Sequence, residues 1–161
     1  MAVPFRQLLR PAALAIALAA VVTGCSDPAA PSIEDTKFAA SLDVDLTAST
    51  KTTSGLYYRD VTVGTGVTAV GGSQVTVAYS LYNTNGSRWD QGSSLQFTVV
   101  GATEQGTMIR GFNEGVTGMK VGGRRQLVIP PHLGYGNQWD RSGKIPPNSI
   151  LVFDVQLIAV Q

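Results

Sequence analysis

The sequence holds one cysteine, Cys25, and one histidine, His132, in 161 residues. A single thiol excludes an internal disulfide framework. One imidazole, with no cysteine in the part of the chain around it, leaves too few ligands for a zinc site, so neither metal nor cofactor is expected. Charge is sparse as well. Charged residues are 14% of the chain, the formal net charge is +1 and no basic run occurs, so nucleic-acid binding has no electrostatic support. The "DVD" at Asp43 to Asp45 lacks the further oxygen ligands and the offset glycine of a calcium loop. The "GTG" at Gly64 to Gly66 has no helix after it and reads as a turn rather than a phosphate loop. The apolar run Pro11 to Val22 falls short of a membrane span.

That run has another meaning. Arg6 and Arg10 precede it and small residues follow it at Thr23-Gly24, the pattern of a secretory signal. The stop, "VVTGCSDP", resembles a bacterial lipoprotein signal with its lipobox, Val22 standing where leucine is usual. The resemblance implies that Cys25 is lipidated and begins the mature chain. Ser26, where an aspartate would retain the protein at the inner membrane, points to the periplasmic face of the outer membrane within the cell envelope. Removing residues 1–24 takes away Arg6 and Arg10 and leaves 10 basic against 11 acidic side chains.

Residues 25–54 are rich in Ala, Ser, Thr, Pro and Asp, and they read as a tether between anchor and domain. Ile33, Phe38, Leu42 and Leu46 leave a second option open, one short apolar turn or a segment docked on the domain. The tether has no heptads, so a monomer is expected.

From residue 55 the texture changes. "SQVTVAYSLYN" puts Val75, Val77, Tyr79 and Leu81 on one face. Asn85-Gly86 follows, a strong hairpin signal because both positions tolerate positive φ. "LYYRDVTVGTG", "LQFTVVG", "RRQLVIP" and "SILVFDVQLIAV" read as further strands. Alternation in most of them predicts an antiparallel sheet of about five strands, wet on its other face. One segment breaks that period: Ile109, Phe112, Val116 and Met119 recur at helical spacing. Gly111, Gly115 and Gly118 make the helix intrinsically poor, so packing must support it. The fold class is therefore α+β, a twisted antiparallel sheet with one short helix.

"VAYSLYNTNGSRWD", "MIRGFNEGVTGMKVGGRRQLVIPPHLGYG" and "IPPNSILVFDVQL" together resemble the FKBP-type peptidyl-prolyl cis–trans isomerases. The match covers residues 55–161, in order and spacing. The resemblance implies a sheet curled around the helix and a pocket whose catalytic wall falls on Tyr79, Trp89, Asp90, Ile109, Phe112, Tyr135 and Phe153. It puts substrate contacts on Leu95, Phe97, Met108 and Ile145, while Phe97 also reads as pure core, since the helix must pack on that face, and Phe112 as both core and site. In the family Phe112 is usually tryptophan and forms the pocket floor, and Leu95 is usually aromatic. "GATEQGTM" is about three residues longer than the common connection, and Lys144 replaces a frequent apolar residue. The implied partners are proline-containing polypeptides and macrolide inhibitors.

No nucleophile or general base is needed for such chemistry. The peptide barrier of ~18–20 kcal/mol reflects partial double-bond character. A twisted amide loses charge separation, so a dry apolar cavity favours it over the planar, better-solvated form. The competing class is a proline-binding or chaperone module without turnover.

Overall fold

The computed structural model describes residues 30–101 and 106–161. The expected signal segment 1–24, Cys25 and the middle of the "GATEQGTM" connection lie outside the described residues.

Among the described residues the strands are β1 (Thr50–Lys51), β2 (Tyr57–Thr62), β3 (Gln74–Tyr82), β4 (Arg88–Thr98), β5 (Arg124–Ile129) and β6 (Leu151–Val160), with one α-helix, α1 (Arg110–Val116). The strands form one six-stranded sheet in the order β1-β2-β5-β6-β3-β4, and every pairing is antiparallel. The five expected strands are present. The sixth, β1, has two residues and lies in a polar stretch with no apolar alternation to announce it.

One face of the sheet carries the main core. Val75, Val77, Leu81, Phe97, Leu127, Ile129, Leu151, Phe153, Val155 and Leu157 are buried there with Phe112 and Val116 of α1. The two helical glycines explain how α1 lies so close to β5. A Cβ on Gly111 would sit 2.4 Å from Ile129 Cγ2, and one on Gly115 would sit 2.5 Å from Leu127 Cδ1. The propensity lost to glycine, about 1 kcal/mol per residue, is exchanged for close packing.

Arg125 fastens the far end of the helix. It is buried and donates to the carbonyls of Gly115 at 2.9 Å and Thr117 at 3.2 Å. Its other nitrogens reach both oxygens of Asp60, at 2.7 and 3.0 Å, and a buried cation needs such pairing.

The second face of the sheet is not wet throughout, which corrects the expectation from alternation. Val128 and Val152 point away from the main core and are nonetheless buried, in a second cluster with Ile33, Leu42, Tyr57 and Ile150. The cover is the N-terminal segment. The reading of residues 25–54 as a free tether is therefore corrected for the part from Ile33 onward, where the docked alternative is observed. Ile33 is 3% and Leu42 8% exposed, and burying a side chain of this kind contributes about 1.5–3 kcal/mol. Polar contacts pin the same strap. Gln126 Nε2 donates to Leu42 O at 2.7 Å, Tyr57 donates its hydroxyl to Glu34 Oε1 at 2.7 Å, and Arg59 reaches Asp43 Oδ2 at 3.0 Å.

Candidate active site

Two irregularities in the β3–β4 ladder shape the site. Val77 pairs with Leu95 but Tyr79 pairs with Gly92, and Leu81 pairs with Asp90 but Tyr82 pairs with Arg88. The second shift leaves Trp89 as an extra residue on β4. Bulges of this kind re-aim side chains locally, and here Trp89, Asp90 and Leu95 all border one cavity.

That cavity has a volume of about 700 Å³. Tyr79, Trp89, Asp90, Leu95, Met108, Ile109, Tyr135, Ile145 and Phe153 line it, so nine of the residues singled out from the sequence are brought together. The β3–β4 pair supplies Tyr79, Trp89, Asp90 and Leu95, and the lead-in to α1 supplies Met108 and Ile109. The long loop before β6 supplies Tyr135 and Ile145. Asn113 ties α1 to the chain just past β4: its side-chain amide accepts from Val100 N at 3.0 Å and donates to Val100 O at 2.7 Å.

Phe112 and Phe97 stand elsewhere. Phe112 is fully buried, Phe97 is 5% exposed, and neither borders the cavity. The expected floor contact by Phe112 is corrected on this point, and for Phe97 the core reading, not the substrate contact, is the one observed. The reason is aromatic packing. Rings of Tyr79, Phe97 and Phe153 surround Phe112 with centroids at 5.9, 5.7 and 5.0 Å, separations at which edge contacts are favourable. Phe112 thus braces two wall rings from behind.

Tyr79 donates its hydroxyl to Asp90 Oδ2 at 2.7 Å. Burial first, and the Asp90 carboxylate second, push this phenol up to about 12. Tyr135 is also held above the ordinary phenol range, mainly by burial and then by the Asp140 and Asp90 charges. Among the described residues neither the Tyr135 hydroxyl nor the Ile109 N–H meets an acceptor. Both are left as donors at the cavity.

Of the loop that closes the other side, sequence reasoning reached only Lys144, which borders the cavity, and missed the rest: Gln138, Trp139, Asp140, Arg141 and Ser142 border it too. Trp139 is 58% exposed. Asp140 organises the loop: Oδ1 accepts the N–H groups of Lys144 and Ile145, each at 2.7 Å, and Oδ2 accepts Ser142 N at 3.1 Å and the Ser142 hydroxyl. Desolvation opposes its charge, but those bonds together hold the carboxyl down at about 2. The signal was present as "DRSGK", an aspartate ahead of serine and glycine, which is ordinary turn chemistry. Among the described residues no three His, Cys, Asp or Glu side chains converge on a point where a metal would sit.

The arrangement defines a class: an α+β domain with an aromatic-walled cavity that offers hydrogen-bond donors and, among the described residues, no paired acid and base. Comparison with known proteins makes it specific. Residues 66–158 match the family described as FKBP-type peptidyl-prolyl cis–trans isomerase. The chain is 42% identical over 110 residues to "FK506-binding protein" of Streptomyces anulatus, covering 65% of this chain and 86% of that one. It is 44% identical over 110 residues to "FK506-binding protein 4" of Dictyostelium discoideum, covering 66% of this chain but only 28% of that longer protein. Among solved structures, FkpA from Escherichia coli superposes with a TM-score of 0.60 at 36% identity, over 71% of this chain and 52% of FkpA. The chain belongs to the FKBP-type peptidyl-prolyl cis–trans isomerases, enzymes that interconvert the cis and trans forms of X-Pro bonds.

Proposed function

We propose that this isomerase is a lipid-anchored, monomeric member of its family that turns X-Pro bonds in exported polypeptides at the bacterial cell envelope. The observation that carries the catalytic part is the open cavity of about 700 Å³ between Tyr79, Trp89, Ile109, Tyr135 and Phe153. A prolyl ring enters among these side chains, where water is displaced. The planar amide loses solvation there, and the twisted amide, with less charge separation, loses less. Ile109 N–H and the Tyr135 hydroxyl supply donors for carbonyls flanking the bond. Asp90 does not act as a base; it fixes the Tyr79 ring through the phenol.

The resemblance of "VVTGCSDP" to a lipoprotein signal supports the location, with Cys25 as the lipidated residue and the periplasmic face of the outer membrane as the destination. Uncatalysed prolyl isomerisation takes ~10–100 s at 25 °C, slow enough to limit folding after export. The names of the relatives extend the ligand class to FK506-type macrolides, which would compete with the prolyl ring for the same walls.

The test is a protease-coupled assay on an X-Pro peptide, with and without FK506. Turnover that is lost in a Trp89→Ala, Tyr135→Phe double variant supports the site. Undiminished turnover in that variant removes it. Incorporation of labelled fatty acid that is abolished by Cys25→Ser tests the anchor separately.

A further inference from the structure

The N-terminal strap reaches the isomerase site without bordering it. The Ala39 N–H donates to Thr84 O at 2.9 Å, at the tip of the β3–β4 hairpin. Gly86, in the same tip, approaches the strap so closely that a Cβ there would lie 2.7 Å from Ser41 Oγ and 3.3 Å from Ala39 Cβ. Just below the tip, Tyr82 packs on the strap's apolar cluster. Tyr82 pairs with Arg88, and Leu81 pairs with Asp90. Trp89, the bulged residue between them, is thus the first side chain of the cavity wall met on leaving the tip.

We infer that Ala39 and Ser41 of the strap are positioning residues for the isomerase site, holding the hairpin tip and through it the Trp89–Asp90 wall. The inference rests on the reading of this cavity as the isomerase site. A hairpin end that extends past its sheet is marginal alone. A bulge beside it interrupts the ladder that would otherwise hold the wall in register. The contacts from the strap are the second point of attachment for this tip. Catalysis by positioned walls is sensitive to displacements of about 1 Å, so loosening the tip reaches the reaction although no strap residue touches substrate.

Ala39→Pro tests this in the full-length protein. Ala39 has φ −61° and ψ 139°, a conformation proline adopts, so the change removes the N–H donated to Thr84 with little local strain. Gln126→Met is the control, because it removes the bond to Leu42 O beneath β5 and leaves the hairpin contact in place. For Ala39→Pro, kcat/KM per folded molecule should fall about three- to tenfold, as expected for a lost hydrogen bond and a displaced wall. Its Tm should stay near that of the wild type. Gln126→Met should lower Tm and keep kcat/KM. Should Ala39→Pro fail to fold, Ser41→Val at an exposed position presses on the tip instead of releasing it, and the same fall is expected. Wild-type kcat/KM in the folded tip variant, or equal losses in the tip variant and the control, overturns the inference and leaves the strap a purely structural cover. A wild-type protein inactive on every X-Pro peptide would overturn the isomerase reading instead.

Discussion

Tyr79 and Asp90 face each other across the β3–β4 pair, the phenol donating to the carboxylate at 2.7 Å, while the Tyr79 ring rests edge-on against Phe112 at 5.9 Å. One side chain is thus held at both ends, by a hydrogen bond at the mouth of the cavity and by packing beneath it. Asp90→Ala leaves the phenol without its partner. Removing one member of a charge-assisted pair costs about 1.5–3 kcal/mol. If most of that is expressed as a misplaced wall, kcat/KM falls roughly ten- to a hundredfold. Tyr79→Phe keeps the ring and its packing and should lose less, about two- to tenfold. An Asp90→Ala loss that persists undiminished in the Tyr79→Phe background, measured on the same X-Pro peptide, would show that Asp90 acts on substrate directly.

The pH behaviour of activity and of stability should separate. Tyr79 remains a protonated donor until about pH 12, and no proton moves in rotation about an amide bond. kcat/KM should therefore be flat from about pH 5 to pH 9, with no limb of the kind an essential acid or base produces. Stability behaves differently. Asp140 is depressed to about 2 by the N–H groups and hydroxyl it accepts. Its ionised form adds stability above the ordinary carboxylate pKa of about 3.9, and that contribution is lost as pH falls toward about 2. Glu34, bonded to Lys51, Tyr57 and Ser32, is depressed in the same direction. The urea midpoint should thus drop through the range from about pH 4 to pH 2, and Asp140→Asn should flatten part of that drop. An acid limb unchanged by the substitution would mean that the loop does not depend on this charge.

Asp140 also makes a kinetic prediction. Its Oδ1 holds the N–H groups of Lys144 and Ile145, and Ile145 borders the cavity. Asp140→Ala frees the loop while leaving the Tyr79, Trp89 and Phe153 walls untouched. Ordering that loop then has to be repeated at each binding event, at a cost of about 1–2 kcal/mol per residue fixed. KM for peptide substrates should rise about five- to thirtyfold with kcat changed much less, read from full saturation curves. A fall in kcat at constant KM would place the loop in the rotation step and not in binding.

How far the site was legible follows from which kind of signal each part carries. Period-two alternation exposed β3 and β6, and helical spacing exposed α1, because each buries one face continuously. Tyr79, Trp89 and Tyr135 were reached through a shared order of motifs, not through any property of a single residue. The strap was left open because Ile33 and Leu42 are nine residues apart in a chain of no regular period, and only the sheet they cover brings them together. Val128 and Val152 were the other half of that evidence. Both interrupt the expected apolar-polar alternation, and a strand buried on both faces explains it. Phe112 shows the opposite failure. Its place in the motif is correct, but whether a ring faces a cavity or stands behind the rings that do depends on the neighbouring side chains, which spacing does not record.

The glycines of α1 allow two known effects to be set against each other. Replacing Gly111 by alanine raises helix propensity by about 1 kcal/mol and restricts the unfolded chain. The new Cβ, however, would lie 2.4 Å from Ile129 Cγ2, with Ile129 Cγ1 and Cδ1 at 3.2 Å. Ile129 is fully buried, and a β-branched side chain has no free rotamer into which Cγ2 can retreat. The helix must therefore move off β5, and overpacking of this kind costs about 1–3 kcal/mol. Overpacking should win, so Gly111→Ala should be destabilising by about 1–2 kcal/mol in urea unfolding. Because Ile109 is the residue preceding α1 and its N–H is one of the donors at the cavity, the same shift should lower kcat/KM. A stabilised variant would mean that the helix has room to relax, and that glycine at this position serves something other than close approach to the sheet.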